Sequence, residues 1–109
     1  MLTEQPVLIT SIKAGENIPK NRFVDFNGIL TGEGNKPLGI SNAETNSGEM
    51  VPVVAQGIAI IETAAAISKG AAVDSADDGY AGPHSTGIIT GYALDASTGS
   101  GQVIRILLS

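Results

Sequence analysis

Apolar residues along this chain come in short runs that alternate with polar ones at a period of two, and Gly, Asn, Asp and Pro bound each run. That pattern predicts many strands and almost no helix. The expected strands are Val7–Ile12, Arg22–Phe26, Gly28–Thr31, Leu38–Ser41, Met50–Ala55, Gly57–Glu62, Ala71–Asp74, Thr86–Leu94 and Val103–Leu108. Asn27-Gly28 and Asp78-Gly79 are tight-turn signals, because both dipeptides tolerate positive φ. Three consecutive alanines make Thr63–Lys69 the one helix candidate. Seven residues allow a single turn at most.

Sliding the chain against itself reveals an internal repeat. At an offset of 49 positions, Ile12, Ile18, Lys20, Val24 and Asp25 fall on Ile61, Ile67, Lys69, Val73 and Asp74. With small gaps, Gly39 then meets Gly91, and after one inserted residue Ala43, Thr45, Ser47 and Gly48 meet Ala96, Thr98, Ser100 and Gly101. Neither copy could bury its apolar face alone. The expected fold class is therefore all-β, a small β-barrel-like domain made from two duplicated β-units, about 7–55 and 56–108, paired so that exposed edges are removed. One domain over 7–109 is expected from the length of 109 residues, with 1–6 as a mobile N-terminal arm.

Composition narrows the possible functions. Aromatic residues are 4% of the chain, with no Trp, so the core must be aliphatic and thin, and association with other chains would help it. The absence of Cys removes disulfides, thiolate metal sites and thiol nucleophiles. Net charge is −5, and the six basic residues are scattered, which argues against a nucleic-acid partner. The apolar stretch Val51–Ile67 is interrupted by Pro52, Gln56, Gly57 and Glu62, so no membrane span is expected, and the start of the chain lacks the basic residues of a secretory signal.

Candidate chemistry is sparse. His84 precedes Ser85, but Pro83 stands where a nucleophile elbow needs its first glycine, and adjacent loop residues do not form a triad. A solvated loop histidine is the expectation. Asp74, Asp77, Asp78 and Gly79 lack calcium-loop spacing and read as an acidic turn. Thr31–Pro37 holds glycines and Lys36 without the Walker spacing. No catalytic, cofactor-binding or metal-binding residue is assigned, and the chain is expected not to be an enzyme.

The order of these pieces resembles the phage capsid cement, or head decoration, family. The resemblance is carried by Ala66-Ile67-Ser68-Lys69-Gly70-Ala71-Ala72-Val73, by Gly57-Ile58-Ala59, by Gly87-Ile88-Ile89-Thr90-Gly91-Tyr92-Ala93-Leu94 and by Gly101-Gln102-Val103-Ile104-Arg105-Ile106-Leu107-Leu108. These segments span most of the second half; the first half matches mainly in its opening strand and glycine spacing. The resemblance implies a tulip-like β-domain, made in the host cytoplasm, that binds the major capsid protein on the outer surface of the virion as a homotrimer. It implies no cofactor. The arm supplies the guessed capsid-binding residues Leu2, Thr3, Glu4, Gln5 and Pro6, since an extended segment can add to a neighbour's sheet edge. The rival readings are a β-clip domain, suggested by Ile12–Lys20, and a carbohydrate-binding module, for which Phe23, Phe26, Tyr80 and Tyr92 are few stacking aromatics.

Overall fold

The computed structural model describes residues 3–108, and the fold over them is nearly all-β. Eight strands form one sheet: β1 (Gln5–Lys13), β2 (Phe23–Val24), β3 (Gly39–Ser41), β4 (Met50–Glu62), β5 (Ala72–Ser75), β6 (Ala81–Pro83), β7 (Gly91–Ala93) and β8 (Val103–Leu108). The main path runs β2-β3-β4-β8-β7-β5-β6, and β1 pairs with β4 off that path. Thr63, just after β4, bridges Ala81 of β6, so one end of the path folds back beside its long strand and nearly closes a barrel.

The same pairings are made twice. Phe23↔Ile40 and Val24↔Gly39 join β2 to β3, as Ala72↔Tyr92 and Val73↔Gly91 join β5 to β7. β1 lies antiparallel to the first part of β4, as the last part of β4 lies against β8. Ile18 and Thr45 exchange two backbone hydrogen bonds, and so do Ile67 and Ser97. The residue after each repeated lysine is left-handed, Asn21 at φ 66° and Gly70 at φ 84°, two residue types that tolerate that region. The bridge to Ser97 places the repeat one residue from the Thr45–Thr98 match read in the sequence, because the inserted residue falls after this bridge.

The two strands expected over Met50–Ala55 and Gly57–Glu62 are one. Gly57, at φ 101°, carries β4 from the first unit into the second, and a Cβ there would stand 2.6 Å from the Gln5 carbonyl oxygen and the Val7 nitrogen. The expected boundary at 55/56 thus falls within a shared strand. The helical turn over Thr63–Lys69 does not form, since Thr63 and Ile67 are held in bridges and the Ala64 N–H donates to the Ala81 carbonyl. Tertiary pairing overrides the alanine propensity. A short 3-10 turn lies instead at Asp77–Gly79, where Asp78 and Gly79 take φ 58° and 74°. Thr86–Leu94 contributes only β7, and Gly28–Thr31 only the single bridge Val24↔Leu30.

The core follows the duplication. In the first unit Ala14, Ile18, Val24, Val51 and Val53 pack together, with Ile12, Leu30 and Leu38 against them. The second unit packs Ile67, Val73, Ile104 and Ile106 at the matching places, together with Ala59, Ile61, Ala81 and Ala93. Phe23, Ile40 and Val54 of the first unit join this second cluster and weld the units. Each of those three is fully enclosed, which stabilises the junction by about 2 kcal/mol per side chain.

Candidate functional site

Two regions merit scrutiny: a loop that gathers the only histidine, and the outer surface of the strands. Asp74 lies in the buried part of β5, and its carboxylate is turned into the loop 84–87. His84 Nδ1 is 2.6 Å from Asp74 Oδ1, while the Ser85 and Gly87 N–H groups donate to Oδ2, each at 3.1 Å. His84 is therefore paired, a correction to the expected solvated histidine. This pair borders a cleft of about 500 Å³ that Glu33, Gly34, Ala64, Ala65 and Ser75 help to line. Among the described residues no hydrogen bond runs from the Ser85 hydroxyl to His84, and no group of three acidic or histidine side chains is placed to hold a metal ion.

The carboxylate acts as a loop clasp. Its repeat counterpart Asp25 does the same on a smaller scale, accepting the Asn27 and Ile29 N–H groups at 2.8 and 3.2 Å. The acidic segment beyond it does not converge on Asp74; Asp77 and Asp78 are exposed in the 3-10 turn. The identity Asp25/Asp74 was the available signal for this shared role, and the sequence reading assigned Asp74 to the turn instead.

A second polar node joins the units. The Arg22 guanidinium lies 3.7 Å from the Tyr80 ring centroid, donates to the Asp78 carbonyl at 3.1 Å and to the Tyr80 hydroxyl at 2.6 Å, and has Glu62 Oε1 3.5 Å from Nε. Near the chain's end Arg105 grips Asp95 through Nε and Nη2, both at 3.0 Å, and through its backbone N–H. These bonds, the side-chain ones first, hold the Asp95 carboxyl down at about 2.

The outer surface is apolar where β1 runs. Val7 is 78% exposed, and Leu8 and Ile9 are about half exposed. β1 has β4 on one side, and among the described residues no strand pairs with its other side. Of the arm residues singled out from the sequence, Leu2 lies outside the described residues. Thr3 is exposed, and half-buried Glu4 accepts from the Asn42 side-chain amide at 3.4 Å. Gln5 and Pro6, assigned to the arm, are the first residues of β1, opposite Ile58 and Gly57, and both are exposed. Further exposed apolar side chains are Phe26, Tyr92 and Leu107; the first two count among the few aromatics of the sequence, but their exposure depends on what packs over each position.

Val7, Leu8 and Ile9 thus place three successive exposed apolar side chains on one edge strand of the nearly closed barrel. The fold is similar to that of the head fiber gp8.5 N base in bacteriophage phi29, with a TM-score of 0.79 and 17% identity, over 94% of this chain and 93% of that one. No curated protein sequence matches significantly. The chain belongs to the phage cement protein family, whose model matches residues 2–108. No helix of the described residues is long and apolar enough to cross a membrane.

Proposed function

We propose that this protein is a non-enzymatic cement that binds the outside of an assembled phage capsid as a homotrimer and stabilises the shell. Family membership over residues 2–108 carries the reading. β1 supplies the means: an edge strand bearing Val7, Leu8 and Ile9 offers both apolar surface and unpaired backbone groups to the shell, and Gln5 and Pro6 are its first residues. The partner is the major capsid protein, and nucleic acid and membrane play no part in the binding. Because the cement binds only the assembled lattice, each occupied site lowers that state's free energy by about 2.7 kcal/mol at a hundredfold excess over Kd.

Decorated and stripped capsids should therefore differ in the temperature at which they release DNA, and adding the protein back should restore the higher value. Removing residues 1–4, which leaves β1 whole, should preserve folding and weaken capsid binding. Equal release temperatures with and without the protein would sink the reading, and unchanged affinity of the shortened chain would remove the arm from it.

A further inference from the structure

One turn of the first unit is built around a reactive dipeptide. Of the six asparagines in the chain only Asn27 is followed by glycine. The peptide nitrogen after an asparagine can attack the side-chain amide carbon, and glycine allows this best because it has no Cβ to obstruct closure of the five-membered ring. Asn27 is exposed, and among the described residues its side-chain amide makes no hydrogen bond.

The fold holds the attacking atom in place. The Gly28 N–H donates to the Asp25 carbonyl at 3.2 Å, and the Gly28 carbonyl accepts from the Gly15 N–H at 2.9 Å. The Asp25 carboxylate clasps the same turn through the Asn27 and Ile29 N–H groups. Gly28 is itself buried, so close to the chain before it that a Cβ would stand 2.0 Å from the Lys13 carbonyl oxygen. Ring closure requires the Gly28 nitrogen to lose its proton and swing toward the Asn27 side chain. The bond to the Asp25 carbonyl must break first, and base must reach a buried atom, so the rate is set by how often the turn opens locally.

We propose that Asn27 is a site of spontaneous deamidation gated by the Asp25 clasp, and that its modification remodels the exposed turn carrying Phe26 and Ile29. The Gly28 nitrogen gives up its proton and bonds to Asn27 Cγ; the bond from Cγ to the side-chain nitrogen breaks, and that nitrogen leaves with the proton as ammonia. Water then opens the succinimide. Adding at Cγ it gives aspartate, and adding at the backbone carbonyl carbon of residue 27 it gives isoaspartate, whose main chain runs through Cβ and Cγ. One water is consumed and one ammonia released, with no oxidant or reductant. Either product adds a carboxylate to a turn that already holds those of Asp25 and Glu16, the latter accepting the Leu30 N–H at 2.8 Å, and like charges repel. Isoaspartate also lengthens the main chain where Gly28 has no room to shift. The turn loosens, and Phe26, 61% exposed, and Ile29, 38% exposed, move with it.

Incubating the purified protein in mildly alkaline buffer, with peptide mapping that separates asparagine, aspartate and isoaspartate, tests this without capsids. Asn27 should convert ahead of every other asparagine, and more slowly in the native protein than in the same protein unfolded in urea, where nothing holds Gly28. Asp25→Ala with a wild-type circular dichroism spectrum should convert about tenfold faster than wild type, equivalent to about 1.4 kcal/mol, because two N–H bonds to the clasp are lost. Asn27→Gln, which closes a five-membered ring no longer, should abolish the isoaspartate signal. The modified fraction, separated by anion exchange, should show faster amide exchange at Gly28 and Ile29. Another asparagine reacting first would overturn the site. Equal rates in native buffer and in urea, or in wild type and folded Asp25→Ala, would overturn the gate, and the urea comparison decides alone where Asp25→Ala does not fold. Unchanged exchange in the modified fraction would overturn the remodelling.

Discussion

Replacing Gly39 by alanine should unfold this protein at a much lower temperature, although glycine and alanine differ by one methyl group. A Cβ at this position would sit 2.2 Å from the Val54 carbonyl oxygen and 2.7 Å from Val53 Cγ1, against an ordinary contact distance of about 3.4 Å. The nearest atom is backbone, so no rotamer change relieves the overlap. β3 must move by roughly 1 Å from β4, which strains the pairs Ile40↔Val54 and Ser41↔Val53. Two weakened ladder bonds at about 1 kcal/mol each, and overpacking of about 1–3 kcal/mol, give a loss of roughly 3–5 kcal/mol. That is a large share of the ~5–15 kcal/mol typical of a whole fold. At about 4 °C or more per kcal/mol, Tm should fall by at least ~12 °C in a circular dichroism melt. Gly91→Ala, whose Cβ would lie 2.4 Å from the Leu107 carbonyl oxygen, should behave similarly because it is the same position in the second unit. Gly99→Ala, with nothing within 4 Å, is the control and should shift stability by less than about 0.5 kcal/mol. If Gly39→Ala lost less than about 1 kcal/mol, or matched Gly99→Ala, the close-approach reasoning would be refuted.

Two further outcomes follow from the polar clusters. Asp95 has its folded pKa depressed to about 2, so the Asp95–Arg105 pair contributes stability that is fully present above the unfolded carboxylate value near pH 4 and is lost as pH falls through about 2; Asp95→Asn should lower urea stability at pH 7 by less than about 1 kcal/mol, since the pair is partly exposed, and the difference from wild type should vanish near pH 2. Asp74→Ala removes the acceptor of His84 Nδ1, Ser85 N–H and Gly87 N–H; it should cost about 3 kcal/mol and speed amide exchange at Ser85 and Gly87, and unchanged exchange there would show that the clasp does not hold the loop.

The strand content was legible because alternation and turn residues are local signals: β1, β4 and β8 fall where the period-two runs lie. The repeat was legible through Ile12/Ile61, Ile18/Ile67 and Val24/Val73, since those positions point into each unit's own core. What the sequence concealed is non-local. Gly57 reads as a break between strands, yet it is the point where one strand passes between units, a role set by the approach of β1. The alanines at 64–66 favour helix in isolation and are kept out of one by partners such as Ala81, which accepts from the Ala64 N–H from 17 positions on. Asp74 and His84, ten positions apart, reveal their pairing only once the loop folds back. Nor could alternation distinguish Ile40 from Tyr92: the two occupy the same place in their units, and only the packing of one unit on the other decides that the first is buried.

The placement of β1 and β8 on β4 has a mechanical consequence. Pro6 and Leu108 both pair with Gly57, and one glycine can have them only on its two opposite sides, so these points of the chain stand about two strand spacings, or roughly 10 Å, apart. A pull between them crosses β4 at a single residue and acts perpendicular to the strands. Hydrogen bonds loaded that way open one after another like a zipper, whereas a pull along the strands would have to shear many at once. The fold is therefore soft along this one line and stiff elsewhere, and a load hung from either end of the described chain peels that end's own strand away from β4 before it reaches the welded core.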